Sequence, residues 1–327
     1  MEHLLGIRGL GRDTFEQILT NAQHFVEVSE RSRKKVPPLR GKTVINLFLE
    51  PSTRTRTSFE IAGKRLSADV INVSGSGSAV SKGESLRDTA CTIQAMHPDI
   101  IAIRHASSGA AHFIARHVQG AAVINAGDGM HEHPTQALLD CLSLRQHFLF
   151  EGRSLEGLRV AIVGDVLHSR VARSNIWAHK LLGNQVRLVG PPTLIPYRYA
   201  EQAFGSDVQV SHDLRTGLAG VDVVMCLRMQ LERMGLFFVP NLQEYTREFC
   251  VTEKLLAELA PNCVVLHPGP INRGVELATE VADGSRSLMS KQVTNGVAVR
   301  MALLFMLALR ESDKLIGSEA SNSEMET

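Results

Sequence analysis

Short apolar runs alternate along the chain with longer stretches of helical spacing. The runs are residues 43–49 (TVINLFL), 99–103 (DIIAI), 121–125 (AAVIN), 159–163 (RVAIV), 221–227 (VDVVMCL) and 263–266 (CVVL). Their hydrophobicity is continuous rather than alternating, which suits parallel strands covered on both faces. Between them, residues 57–67 set Phe59, Ala62 and Leu66 at i, i+3 and i+7, and residues 135–147 carry a second helical pattern. This alternation predicts an α/β fold with two doubly wound parallel-sheet domains. The polar stretch 150–158, with Gly152 and Gly157, marks the expected boundary. The domains are then 1–150 and 151–291, with a helix over 292–310 expected to return to the first. The polar residues 317–327 are expected to be disordered.

Length agrees with this division, because 327 residues at about 150 per domain make two domains. Thirty-five Lys and Arg against 34 Asp and Glu leave a net charge of +1. Such a balance gives no bulk attraction for nucleic acid or an anionic membrane, and neither is expected as a partner. The five cysteines are odd in number and form no CxxC, so they read as free thiols in a reducing compartment. Residues 297–309 are apolar but interrupted by Arg300 and short for a bilayer. The first residues lack the basic head and apolar stretch of a signal peptide. A cytoplasmic location is expected.

The residues after each strand carry the chemistry. In open α/β sheets ligands bind beyond the carboxyl ends of the strands, and here those ends lead to Arg, His, Ser, Thr and Gln. Together they predict one polar, cationic cleft shared by the two domains. After residues 43–49 comes Pro51-Ser-Thr-Arg-Thr-Arg56. A proline and hydroxyl residues before an amphipathic run signal a helix start. Its N–H groups and dipole attract an anion, and the hydroxyls with Arg54 add donors suited to phosphate. The nucleotide P-loop pattern and the dinucleotide glycine fingerprint are both absent, so no nucleotide cofactor is expected. In Gly127-Asp-Gly-Met-His-Glu-His-Pro-Thr-Gln136, His133 precedes a helix start, whose positive end favours a neutral imidazole able to donate to a carbonyl oxygen. His131 and Glu132 read as ordinary loop residues. No metal is expected, because neither H-E-x-x-H nor a Cys/His set occurs. The Gly/Ser loop over 74–88 carries Ser78 and Lys82 and could serve as a lid. Arg170 and Arg228, with Gln230 two residues beyond, suit a ligand with two carboxylates.

The segments FLEPSTRTRTSFE, SKGESLRDT, IRH, GDGMHEHPTQALLD, VGDVLHSRVARS, RMQLERM and LHPGPINRGVE together resemble the aspartate/ornithine carbamoyltransferases. The likeness keeps the motif order from near the N-terminus to about residue 310. RMQ-x-ER and HPGP-x-NRG-x-E are similar to the aspartate branch. The ornithine branch usually carries a cysteine where this chain has Pro268, and some relatives carry leucine at the position of Gly269. The resemblance implies transfer of a carbamoyl group from carbamoyl phosphate to the amine of L-aspartate, with no cofactor, in pyrimidine synthesis. It implies that Ser52, Thr53, Arg54, Thr55 and Arg104 hold the phosphate, and that Thr55, Arg104 and His133 face the carbonyl oxygen. Gln136 and the backbone at Gly269 and Pro270 would hold the carbamoyl amine. Arg170, Arg228, Gln230 and Lys82 would bind aspartate. Ser78 and Lys82 would come from a neighbouring subunit, which implies a homotrimer with shared active sites. Some relatives of this kind also bind regulatory chains or a dihydroorotase.

Overall fold

The computed structural model describes residues 1–75, 83–229 and 241–323. It divides into two compact units, the first made of residues 1–135 and the stretch from Gly296, the second of Gln136–Asn295. The divisions fall just inside one helix and within another, rather than in the polar stretch 150–158.

The first unit is built on four strands, β1 (Thr43–Phe48), β2 (Asp69–Ser74), β3 (Ile100–His105) and β4 (Ala122–Asp128). They lie in the order β2-β1-β3-β4 and every pairing is parallel. Parallel neighbours need crossover connections. Helices α1 (Arg12–Glu30), α2 (Thr53–Arg65), α3 (Leu86–Gln94) and α4 (Ala110–His117) belong to this unit. Ile45, Leu47, Ile101, Ile103 and Val123 of the sheet pack with Ala90 and Ile93 of α3 and Ala111 and Ile114 of α4. Each such Val, Leu or Ile side chain contributes about 1.5–3 kcal/mol on burial. Gly63 lets α2 lie close to the sheet, since a Cβ there would stand 2.5 Å from Val70 Cγ2.

Helix α5 (Pro134–Phe150) leads into the second unit. Its five strands are β5 (Arg159–Val163), β6 (Gln185–Val189), β7 (Gln209–Ser211), β8 (Val223–Cys226) and β9 (Val264–Leu266). Their order is β7-β6-β5-β8-β9, again wholly parallel. Between the strands run α6 (Arg170–Leu181), α7 (Tyr197–Phe204), α8 (Leu214–Leu218), α9 (Leu242–Phe249) and α10 (Glu253–Leu259), and α11 (Thr279–Ala282) follows β9. The fold is therefore α/β with two parallel sheets, as the apolar runs predict. Three strands escape that reading. β2 is an edge strand with largely exposed residues, and β6 and β7 are short and half-polar, so none presents a continuous apolar run.

The last helix, α12 (Met289–Ser323), is longer than expected and continues through the polar tail as far as Ser323. Glu and Ala in that tail favour helix, and extending an existing helix needs no new nucleus. Residues 324–327 lie outside the described residues. Met289–Leu309 is apolar and long enough by composition to cross a membrane, yet 67% of its apolar window is buried within the protein. Arg300, which interrupts the apolar run, is itself buried and donates to the Gly296 carbonyl at 2.8 Å.

Each sheet has one place where successive crossovers turn to opposite sides. In the first it lies between β1 and β3, in the second between β5 and β8. A crevice opens beyond the carboxyl ends of strands at such a point, because the two following connections diverge.

Candidate active site

At the first switch point the chain leaves β1 and enters α2 directly. The Leu49 N–H donates to the Arg104 carbonyl at 2.9 Å, which ties the exit of β1 to β3 and fixes where α2 starts. Ser52 is the N-cap residue, in extended backbone, but its hydroxyl makes no capping bond. Ser85, Ser169, Asp213, Asn241 and Thr252 do cap their helices with side-chain oxygens. The first turn of α2 carries no acidic residue, while Arg54 and Arg56 lie in it. The positive end of the helix is thus left open to an anion. Thr53 and Arg54 are exposed there, and Thr55 is buried.

Arg104 lies opposite Phe48 on the neighbouring strand. Its Nη1 donates to the Ala126 carbonyl at 3.4 Å, and its Nη2 pairs with Glu50 at 3.3 Å. These contacts hold the guanidinium beside the start of α2. From the next strand, β4, the chain turns through residues 129–132 to His133, which is 4% exposed and immediately precedes α5. Thr135 Oγ1 stands 3.4 Å from His133 Nδ1 and accepts from Arg300 Nη2 at 3.2 Å. A guanidinium can only donate. Thr135 Oγ1 can accept from Arg300 and still either donate to or accept from Nδ1, so the contact positions the His133 ring in either neutral tautomer. Arg300 is held in turn over the Phe59 ring of α2, 5.1 Å from its centroid.

Glu132, read from the sequence as an ordinary loop residue, is 2% exposed and structural. It accepts from the Ile7 N–H at 2.7 Å and the Arg8 N–H at 3.2 Å, fastening the N-terminal segment to the turn before His133. Its partners are more than a hundred residues distant, so no local pattern signals it.

The second unit contributes three strand ends. After β5, Gly164 has φ +117°, and a Cβ there would approach the Leu227 carbonyl and the Tyr245 hydroxyl at 3.1 Å each, so glycine is required. Asp165 then accepts from the His168 N–H and from His168 Nδ1, at 3.2 and 2.8 Å, closing the turn that delivers Arg170 to the first turn of α6. Arg170 is buried and Arg228, at the exit of β8, is half-buried. The two arginines thus stand at the ends of the adjacent strands that form this sheet's switch point.

Gln136 Nε2 donates to Asp140 Oδ1 at 2.8 Å. Asp140, fully buried, also accepts from Asn175 Nδ2 at 2.9 Å and Gln292 Nε2 at 2.6 Å. Gln292 in turn accepts from the His267 N–H at 3.1 Å. His267 Nδ1 accepts from the Gly269 N–H at 2.8 Å, and its Nε2–H then faces Glu276 at 3.2 Å. One hydrogen-bonded chain, Gln136–Asp140–Gln292–His267–Gly269, therefore fixes the two places expected to hold one amine. With the Gly269 N–H already used, the carbonyls of Gly269 and Pro270 are the groups left to accept from such an amine. Asp140 and Gln292 were not legible as site residues, because each looks like an ordinary polar position on a helix. Ser78, Lys82 and Gln230 lie outside the described residues.

Comparison with known proteins places this geometry. Residues 2–146 match the family profile "Aspartate/ornithine carbamoyltransferase, carbamoyl-P binding domain", and residues 156–307 match "Aspartate/ornithine carbamoyltransferase, Asp/Orn binding domain". The chain is 56% identical over 318 residues to the aspartate carbamoyltransferase catalytic subunit of Magnetococcus marinus, covering 96% of this chain and 95% of that one. Aspartate transcarbamoylase from Trypanosoma cruzi with carbamoyl phosphate and aspartate superposes with a TM-score of 0.81 at 26% identity, over 93% of this chain and 96% of the other. The same enzyme with carbamoyl aspartate and phosphate gives 0.81 at 25% identity, over 93% and 95%. The chain belongs to the aspartate/ornithine carbamoyltransferase family.

Replacing Asp140 with Ala strips the shared acceptor from three buried amides, and unpaired buried donors cost about 1–3 kcal/mol each. Urea denaturation is expected to show a loss of ~3 kcal/mol or more in D140A. A midpoint within error of the parent would mean that the network carries no such strain.

Proposed function

We propose that this chain is the catalytic subunit of an aspartate carbamoyltransferase. It transfers the carbamoyl group of carbamoyl phosphate to the amine of L-aspartate, giving N-carbamoyl-L-aspartate and phosphate for pyrimidine synthesis. The observation that carries this reading is the pairing of an open, arginine-flanked helix start at one switch point with two arginines at the other. The first suits a phosphate and the second a dicarboxylate. Both the 56% identical relative and the ligands of the Trypanosoma cruzi enzyme support it.

In this reading the aspartate amine attacks the carbamoyl carbon, the C–N bond forms, and negative charge builds on the carbonyl oxygen. Thr55, Arg104 and His133 stabilise that oxygen, as preorganised donors do in acyl transfer. The C–O bond to phosphate then breaks, and Ser52, Thr53, Arg54 and Thr55 with Arg104 balance the charge of the leaving group. The amine proton passes to an oxygen of the departing phosphate, while His133 serves as a donor to the carbonyl oxygen. Gln136 with the carbonyls of Gly269 and Pro270 orients the carbamoyl amine. Arg170, Arg228, Gln230 and Lys82 take the aspartate carboxylates, and holding two anions in attacking geometry supplies much of the rate.

The chain acts as a homotrimer in which Ser78 and Lys82 complete a neighbour's site, and it works in the cytoplasm. The resemblance of the SKGESLRDT segment supports the shared site, and five free cysteines suit a reducing compartment.

Purified protein is expected to form carbamoyl aspartate from the two substrates, and a folded assembly that forms none would end the proposal. Arg54→Ala should lower kcat by on the order of 10²-fold or more, whereas Arg228→Ala should chiefly raise KM for aspartate. An R54A enzyme altered only in KM for aspartate, or an unchanged aspartate curve in R228A, contradicts the assigned roles. Mixing inactive R54A and K82A chains under exchange should restore turnover if sites are shared. No recovery after demonstrated exchange would show that each chain completes its own.

A further inference from the structure

Among the described residues one group of three metal-ligating side chains converges, and it lies outside the candidate active site. Asp128 ends β4, His131 follows it in the turn, and His112 projects from α4; one donor atom of each lies within 4.8 Å of the other two. Asp128 is 1% exposed. Its carboxylate is fixed by the Gly109 N–H at 2.6 Å, Asn125 Nδ2 at 2.8 Å and the Glu132 N–H at 3.2 Å. His131 Nδ1 stands 3.1 and 3.2 Å from its two oxygens, and the His112 and His131 rings meet edge to face with centroids 5.4 Å apart. Burial opposes charge on Asp128, yet the bonds from His131, Asn125 and Gly109 hold its pKa below the ordinary carboxylate value. The group is thus a rigid anion faced by two imidazoles, both of them partly open to solvent.

We infer that His112, Asp128 and His131 form a binding site for a divalent ion of the Zn2+ type. Two imidazoles and one carboxylate are donors of zinc character, and three protein ligands leave a fourth position for water. Ligands about 2.0–2.2 Å from a tetrahedral ion stand roughly 3.3 Å apart. The spacing of His131 Nδ1 from Asp128 already meets that figure, and rotation of the half-exposed His112 side chain brings in the third donor. The ion takes the place of the proton that Nδ1 shares with Asp128, which moves to Nε2 of the neutral ring. Asn125 and the Gly109 N–H supply the outer hydrogen bonds that orient the carboxylate. Asp128 and His131 are three residues apart but His112 comes from another element, so no linear zinc pattern announces the group. The ion would brace the turn that leads to His133.

The test is calorimetric titration of the full chain with ZnCl2 at neutral pH, in a buffer that does not bind zinc. The parent, His112→Ala, His131→Ala and Cys91→Ser proteins are compared, the last because Cys91 is an exposed thiol. One ion per chain is expected, with affinity about tenfold weaker or more in each histidine variant and unchanged in C91S. Because the ion binds the folded state, Zn2+ should also raise the Tm of the parent and C91S, and raise it less in the histidine variants. Co2+ should give the visible bands of a four-coordinate ion in the parent and C91S but not in the histidine variants. Absence of saturable binding in the parent, an affinity equal to the parent's in either histidine variant, or loss of binding in C91S would each overturn the site.

Discussion

Everything in this protein follows from strands that all run the same way. A parallel strand cannot be reached by a tight turn, so every connection crosses a face of the sheet as a helix or long loop. Within each sheet every strand therefore ends on the same edge, and each unit gathers along that edge side chains from segments far apart in sequence. Where the crossovers change side, two strand ends diverge and leave room for a ligand. The arginines at β3, α6 and β8 owe their placement to that constraint more than to their immediate surroundings.

The polar chain through Asp140 shows how such an edge is kept rigid. Gln136 begins α5, while Gly269 follows β9, and the two would be free to drift without a common support. A single buried carboxylate collects amide donors from α5, α6 and α12, and Gln292 passes the constraint on to the loop beyond β9. The three amide donors are satisfied, while Asn175 Oδ1 is buried without a hydrogen-bond partner among the described residues. The network's reward is a fixed geometry for weakly held groups.

The sequence made legible what depends on local pattern. Continuous apolar runs disclosed β1, β3, β4, β5, β8 and β9, and the hydroxyl-rich, arginine-flanked run after β1 disclosed the start of α2. Edge and short strands such as β2 and β7 were hidden because half-exposed positions mix polar and apolar residues. Thr135, Asp140, Gln292 and Arg300 were hidden for another reason. Their roles are set by partners that only the fold brings near, so the same letters could equally stand on a solvated face. Glu132 is the sharpest instance, since its carboxylate serves the N–H groups of Ile7 and Arg8 rather than anything in its own loop.

The first unit is also assembled from two pieces of the chain, with the whole second unit between them. During ribosomal synthesis its sheet emerges early, while the segment that lays Arg300 over Phe59 and Leu304 beside Gly63 emerges last. Until then the nascent first half carries an apolar helix face with nothing to cover it. Such intermediates are prone to associate with one another. Chains halted before α12 should be prey for chaperones and proteases, not half-working enzymes.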